Sequence, residues 1–478
     1  MNKIIKLSVL SIVLFIASCS KNNDNVIDPT TTDDINYFIW KGMNAYYFWQ
    51  KDVPDLANNR FSTFTELYTH FRGYSSNEKA FESFIDRFSW IVDDYVALEN
   101  SFQGINLSTG MEFGLKRYNN SSTNIYGYVR YIVPNSDAAS KPVSRGMLFN
   151  TVNGTQLTDT NYQSLLFNNS VTSLNIGFAD YNNGDPISNN TTISLSKTQI
   201  QENPIAVSKV INEGNKKIGY LLYNQFSSSY DGHLNAAINS FKSLGIDDLI
   251  IDLRYNGGGS VRTATYLGSM VTGQFTGQLY SKEVWNDKVR DAVSADRFLN
   301  NFTNEIKNSD INGNVILQES INSLNLSRVY FIVSGSTASA SELVINSLRS
   351  YIDVKLVGTK TVGKQVGSVT LYDSDDLTKD GTNLSTNHKY AIQPIVLEIS
   401  NKDNQNEPNG FIPGANVPGI QLAEDYGNLG VLGERSDPLL ARTLTYITTG
   451  ARGVSNTETQ EYSEIFNSKL ALPTRNNM

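Results

Sequence analysis

Residues 334–350 read SGSTASASELVINSLRS, six serines set between an apolar run and an amphipathic one. A serine hydroxyl attacks a carbonyl only when a neighbouring base takes its proton. Amines that could do so lie downstream, in Gly358-Thr359-Lys360-Thr361-Val362-Gly363-Lys364. A third stretch, Arg254-Tyr255-Asn256-Gly257-Gly258-Gly259, carries three consecutive glycines, which let backbone approach a ligand closely with its N–H groups exposed. Such donors stabilise a developing oxyanion. A helix starting near Ser339 would add more of them, because its first N–H groups lack partners and its dipole is positive there. Hydroxyl, amine and N–H donors are the parts of acyl-transfer chemistry.

Each part follows an apolar run of strand length: DDLIIDL before the glycines, RVYFIV before the serines, VKLV before the lysines. From about Ala206 onward such runs alternate with helical patterns through HLNAAINSFKSLG, VRTATYLGSMVTG and SELVINSLRSYI. That order means crossover connections and a mainly parallel sheet, and the near-continuous apolar strands fit a sheet covered on both faces. Sites in such sheets lie beyond the carboxyl ends of the strands, and neighbouring strands are about 4.8 Å apart. If the serine and lysine strands pair, their loops touch. Upstream, residues 104–204 read as short alternating strands with turn signals, among them MEFGLKRY, NIYGYVRYIV and LNIGFADY. Residues 34–103 read as amphipathic helices, including INYFIWKGMNAYYFWQKDVPDL and EKAFESFIDRFSWIVDDY. Their Trp40, Tyr46, Tyr47 and Trp49 are read as core packing rather than a sugar-stacking platform, since aromatics dominate buried area in small helical units.

The strings LIIDLRYNGGG, GSTASASELV and VGTKTVGKQVGS resemble three hallmarks of the C-terminal processing (tail-specific) serine peptidases, whose core is shared with tricorn protease. In that family a Ser before Ala-Ser-Glu is the nucleophile and a Gly-Lys lysine 25 positions later is the general base; the matching residues are Ser339 and Lys364. The same likeness implies that Gly259 and Ala340, with Gly258 as the neighbouring possibility, supply oxyanion-hole N–H groups. Ser368 or Gln365 would assist the lysine, and Glu342 would order the site or cap the helix. Asp252 and Arg254 are read as pinning the glycine loop. Burial near Val357 and Val362 is expected to disfavour the lysine ammonium and so free the amine to act as a base.

The resemblance also implies architecture: a multidomain α/β and α+β chain with an N-terminal helical domain (34–103), a PDZ-like β-rich domain (104–204), a ClpP/crotonase-like α/β peptidase core (205–460) and a tail (461–478). The PDZ likeness rests on NSDAASKPVSRGMLFNTVNG, residues 135–154, and on Met111-Glu112-Phe113-Gly114-Leu115 in the place of a carboxylate-binding loop. Phe113, Gly114 and Leu115 would there capture a peptide's terminal carboxylate as the peptide adds as a strand.

At the other end, MNKIIKLSVLSIVLFIAS, residues 1–18, has the charged start and short apolar stretch of a secretory signal. Ile16-Ala17-Ser18-Cys19 resembles a lipoprotein lipobox, which implies lipidation of Cys19, a polar tether over 19–33 and a cell-envelope location outside the cytoplasm. Cys19 is the single cysteine of 478 residues, so no disulfide forms within one chain and a thiol enzyme is disfavoured. His70, His233 and His388 have no ligand-like spacing, and neither metal nor cofactor is expected. A net charge of −8 argues against nucleic acid. Gly358–Lys364 approximates a P-loop, but Gln365 stands where magnesium binding needs Ser or Thr. Ser194-Leu195-Ser196-Lys197 matches an S-x-x-K pattern, inside an expected strand and so by coincidence. The function expected is a membrane-tethered serine endopeptidase acting on polypeptides recognised near the C-terminus. The alternative is a catalytically silent, peptide-binding lipoprotein, which would need neither Ser339 nor Lys364.

Overall fold

A computed structural model describes residues 29–168, 170–310, 312–450 and 466–467. The expected signal peptide, Cys19, and most of the tether and tail lie outside these residues. The molecule is a mixed α/β, multidomain chain. Its C-terminal core is a six-stranded sheet in which β1 (Ile205–Glu213) pairs antiparallel with β2 (Lys216–Tyr223). Parallel strands β3 (Asp248–Asp252), β4 (Arg328–Val333), β5 (Asp353–Gly358) and β6 (Gly419–Gln421) follow in that order. Side chains alternate between two cores, as a pleated sheet covered on both faces requires. Val329, Phe331 and Val333 of β4 face helices α1 (Asp231–Leu244), α2 (Val261–Thr272) and α3 (Ala340–Leu348). Tyr330 and Ile332 face α4 (Pro438–Thr449). The register pairs Asp252 with Ile332 and Val333 with Gly358, so β3, β4 and β5 end at one edge of the sheet. A second, antiparallel sheet, Leu299–Asn301, Leu279–Trp285, Ile395–Ser400 and Val366–Ser368 in that order, continues from the lysine loop; the alternation of strands and helices did not reveal it.

Two further units sit on this core. Residues 105–201 form a β-domain around Phe113, Leu115, Val129, Phe149, Ile176 and Leu195, with Met111–Arg117 the outermost strand that these residues contribute to its sheet. The aromatic N-terminal unit packs Phe38, Trp40, Tyr47 and Phe71 together with Leu371, Leu377 and Ile392 of the core. Its first helix, Thr31–Tyr46, begins before the expected end of the tether, because Thr30 and Asp33 cap it reciprocally. The helical pattern expected through 78–95 also breaks: the helix Asn77–Glu82 gives way to a turn and a strand, Trp90–Val92. Asp86 Oδ1 accepts from the Phe88 and Ser89 N–H groups, at 2.5 and 3.0 Å, a local bond that competes with the helix.

Candidate active site

At the common edge of β3, β4 and β5 the serine stretch resolves itself by elimination. Ser334 Oγ donates to the Arg254 carbonyl, Ser336 Oγ accepts from Arg130 Nη2 at 2.9 Å, and Ser341 Oγ donates to the Asn256 carbonyl at 3.1 Å. Ser347 is fully buried along α3, and Ser350 lies beyond that helix. Ser339 is half-buried at the N-cap of α3, with φ 58° and ψ −116°. A non-glycine residue held there stores about 1–3 kcal/mol of strain and persists only where its surroundings dictate it.

Glu342 is the group that dictates it. Its carboxylate is 4% exposed and accepts four hydrogen bonds: from Ser339 N at 3.0 Å, Thr361 Oγ1 at 2.5 Å, Gly363 N at 2.7 Å and Lys364 N at 2.8 Å. Burial raises its pKa above the usual carboxylate value, and these donors pull against that rise. One buried side chain therefore ties the backbone of Ser339 to the backbone of Lys364. A further bond, Val362 N to the Thr337 carbonyl at 3.0 Å, joins the same loops. Behind them Thr361 N donates to the Phe411 carbonyl and Phe411 N to Thr361 Oγ1. The Phe88 ring, placed by the Asp86 turn, has its centroid 5.5 Å from the Lys364 amine, and Ser89 Oγ ties that turn to the core by accepting from Ile395 N at 2.8 Å.

The glycine loop closes the other side. Gly258 has φ 106°, and a Cβ there would stand 2.7 Å from Ser339 Cβ and 3.0 Å from Ala340 N, so this glycine lies flat against the serine turn. Its N–H, however, donates to Asn256 Oδ1 at 2.8 Å. Gly259 forms a parallel bridge with Phe226 in which Phe226 N bonds Gly258 O and Phe226 O accepts from Ser260 N, leaving the Gly259 N–H pointing the other way. Ala340 occupies the first position of α3, where an N–H has no intrahelical acceptor.

Arg254, fully buried, anchors this loop through Asp252 Oδ2 at 2.7 Å, Glu424 Oε1 at 3.2 Å and Asp437 Oδ1 at 3.2 Å. Burial alone would raise the Glu424 carboxyl; the Arg145 and Arg254 guanidiniums, with the Tyr255 hydroxyl, outweigh it and hold the group down at about 2. The β-domain enters here twice, through Arg145 to Tyr255 Oη at 2.6 Å and through Arg130 to Ser336. Arg130, Arg145, Glu424, Asp437 and Phe88 escaped the sequence reading. For Arg130 a signal existed: an arginine inside the strand pattern YGYVRYI demands a buried partner.

Other expected residues have different surroundings. Ser368 lies on the strand Val366–Ser368, opposite Ile395. Gln365 Nε2 is 3.5 Å from Glu398 Oε1, and its Oε1 is buried without a partner. Phe113, Gly114 and Leu115 lie within the edge strand of the β-domain, paired with Val129, Tyr128 and Gly127. His70 contacts Asp55 and His388 contacts Asp373.

A strained serine at a strand-to-helix turn, beside a lysine loop and flanked by backbone donors, defines a candidate serine-hydrolase centre on an α/β core. Residues 217–402 match Peptidase family S41 and residues 34–90 match the Peptidase S41 N-terminal domain; the chain carries both domains of that family. It is 27% identical over 208 residues to a protein of Staphylococcus epidermidis (strain ATCC 12228) named as a CtpA-like serine protease, an alignment covering 41% of this chain and 37% of that protein. A similarly named protein of Staphylococcus haemolyticus (strain JCSC1435) is 26% identical over 206 residues, 41% of this chain and 36% of the relative. The match thus spans little more than a third of the length of these curated relatives. The crystal structure of a Bacteroides fragilis NCTC 9343 protein assigned to the S41 proteases superposes with a TM-score of 0.62 at 22% identity, covering 90% of this chain and all of the other, and so shares the fold.

Proposed function

We propose that this protein is a serine endopeptidase of the C-terminal processing type, with Ser339 as nucleophile and Lys364 as general base. The observation that carries the reading is the Glu342 carboxylate, which holds the backbones of both residues at once while Ser339 is kept in its strained conformation. A lysine amine titrates near 10.4 in water and an ammonium cannot accept a proton, so this chemistry requires Lys364 in its neutral form. Neutral Lys364 takes the Ser339 proton, the alkoxide adds to a peptide carbonyl, and the tetrahedral oxyanion is met by the N–H groups of Gly259 and Ala340. Gly258 is not a donor in this scheme, its N–H being committed to Asn256. The leaving amine departs with a proton from the lysine, and water then releases the acyl group.

In this reading the core is ClpP/crotonase-like and the β-domain is PDZ-like, capturing extended tails of polypeptide substrates along its edge strand. The chain is exported and held at the cell envelope by a lipid on Cys19; its substrates are exposed or unfolded polypeptides with apolar carboxyl ends. The test is cleavage of such a polypeptide by purified wild-type, Ser339→Ala and Lys364→Ala proteins. Each substitution is expected to lower kcat at least about 1000-fold, as loss of an activated nucleophile or its base does, with melting temperature and circular dichroism retained. Undiminished cleavage by either folded variant would refute the assignment.

A further inference from the structure

The edge strand of the β-domain is occupied by the chain itself. Met111–Arg117 pairs on one side with Ile125–Ile132. On its other side it pairs antiparallel with residues 466–467 of the C-terminal region, Phe466 opposite Leu115 and Asn467 opposite Gly114. Gly114 and Leu115 are two of the three residues expected to receive a peptide tail. The segment runs antiparallel to the strand, from Leu115 toward Gly114, as an added strand paired with this edge would. Beside this strand the Phe113 ring stacks on Phe167 at 6.0 Å, just past the short helix Tyr162–Leu166. An open edge presents a row of N–H and C=O groups to any extended chain, and backbone pairing of this kind tolerates many sequences.

We propose that the edge strand Met111–Arg117 is a strand-addition site whose resting occupant is the protein's own segment around Phe466–Asn467, which an incoming polypeptide tail must displace. This rests on the reading of the β-domain as a tail-capturing unit. A tethered segment competes at an effective concentration on the order of 1 mM; if its intrinsic dissociation constant is about 0.1 mM, the apparent affinity for an external tail falls roughly tenfold.

The experiment compares two chains carrying Ser339→Ala, one of full length and one ending at Gly450. The second removes the partner of the edge strand and no other described element. The probe is a fluorescein-labelled synthetic peptide with the sequence of residues 461–472, EYSEIFNSKLAL, read by anisotropy. The shortened chain is expected to bind it about tenfold more tightly, with faster amide exchange across 111–117 that slows again when peptide is added. The full-length variant F466P/N467P, which cannot sustain a strand, should match the shortened chain. Equal affinities, or no binding to either chain, would overturn the proposal. So would a difference that grows with protein concentration, which would assign the occupant to a second copy. No outcome depends on peptide hydrolysis, so inactivity of the wild-type enzyme would leave this result standing, and equal affinities would leave the peptidase reading standing.

Discussion

Replacing Glu342 by glutamine removes one acceptor oxygen from the junction of the two catalytic loops and changes almost no volume. In the native site Oε1 serves Thr361 and Gly363, and Oε2 serves Ser339 and Lys364. A glutamine amide has one accepting oxygen, so two of the four donors would face an NH2 group. Each buried donor left unpaired costs about 1–3 kcal/mol, or roughly 2–6 kcal/mol for the pair. Part of this is offset, because the native carboxylate is itself disfavoured by burial and glutamine carries no charge to desolvate. A net loss near the lower bound, about 2 kcal/mol, is expected in chemical denaturation. The larger effect falls on rate. Without both anchors the strained Ser339 backbone relaxes, and a displacement of about 1 Å between nucleophile and base costs on the order of 100-fold. Glu342 touches neither substrate nor the reacting atoms, so Glu342→Gln should lower kcat by about that factor and leave KM within about threefold. Denaturation curves and steady-state cleavage of an unfolded, apolar-tailed polypeptide measure the two effects separately. Wild-type kcat together with wild-type stability would refute the idea that this carboxylate assembles the site.

Two other perturbations follow from the same geometry. Gly258→Ala would place a methyl 2.7 Å from Ser339 Cβ and 2.8 Å from the Ala338 carbonyl at φ 106°; it should abolish cleavage, whereas Gly146→Ala, at φ 89° but with nothing within 4 Å, should cost only about 1 kcal/mol of backbone strain and spare activity. Asp231 is fully buried and its carboxyl is pushed up to about 6 by burial, against hydrogen bonds from Asn308 and Thr263. Because the folded value exceeds the unfolded one, the contribution is fully present below about pH 4 and is lost as pH rises through 6, some 3 kcal/mol by pH 7. Asp231→Asn should therefore flatten the decline in denaturation midpoint between pH 4.5 and 7.5, and an undiminished decline would remove Asp231 as its source.

The parts of the site could be read from the chain because each lies within a few residues of a strand end, and strands of a parallel sheet finish together. The pairing of Val333 with Gly358 then brings the serine and lysine loops side by side. What holds the loops in place was less legible. Glu342 was visible as a capping residue, yet its bonds to Thr361, Gly363 and Lys364 span 19 to 22 residues, and nothing in the local pattern distinguishes a solvated cap from a buried four-bond acceptor. Arg130 and Ser336 lie 206 residues apart, and Phe88 reaches Lys364 only because a two-residue Asx bond at Asp86 overrides an apolar period that reads as helix. The last two contacts join separate domains, so their energies depend on docking surfaces rather than on any segment's propensity. The consequence is functional as well as descriptive. Arg130 engages Ser336 of the serine turn, Arg145 engages Tyr255 of the glycine loop, and Phe88 stands over the lysine. Each of the three loops is thus touched by a domain outside the sheet that generates it, so shifting the β-domain or the N-terminal unit strains the side chains that pack against the catalytic loops, and the buried Arg130–Ser336 bond in particular cannot be broken without cost.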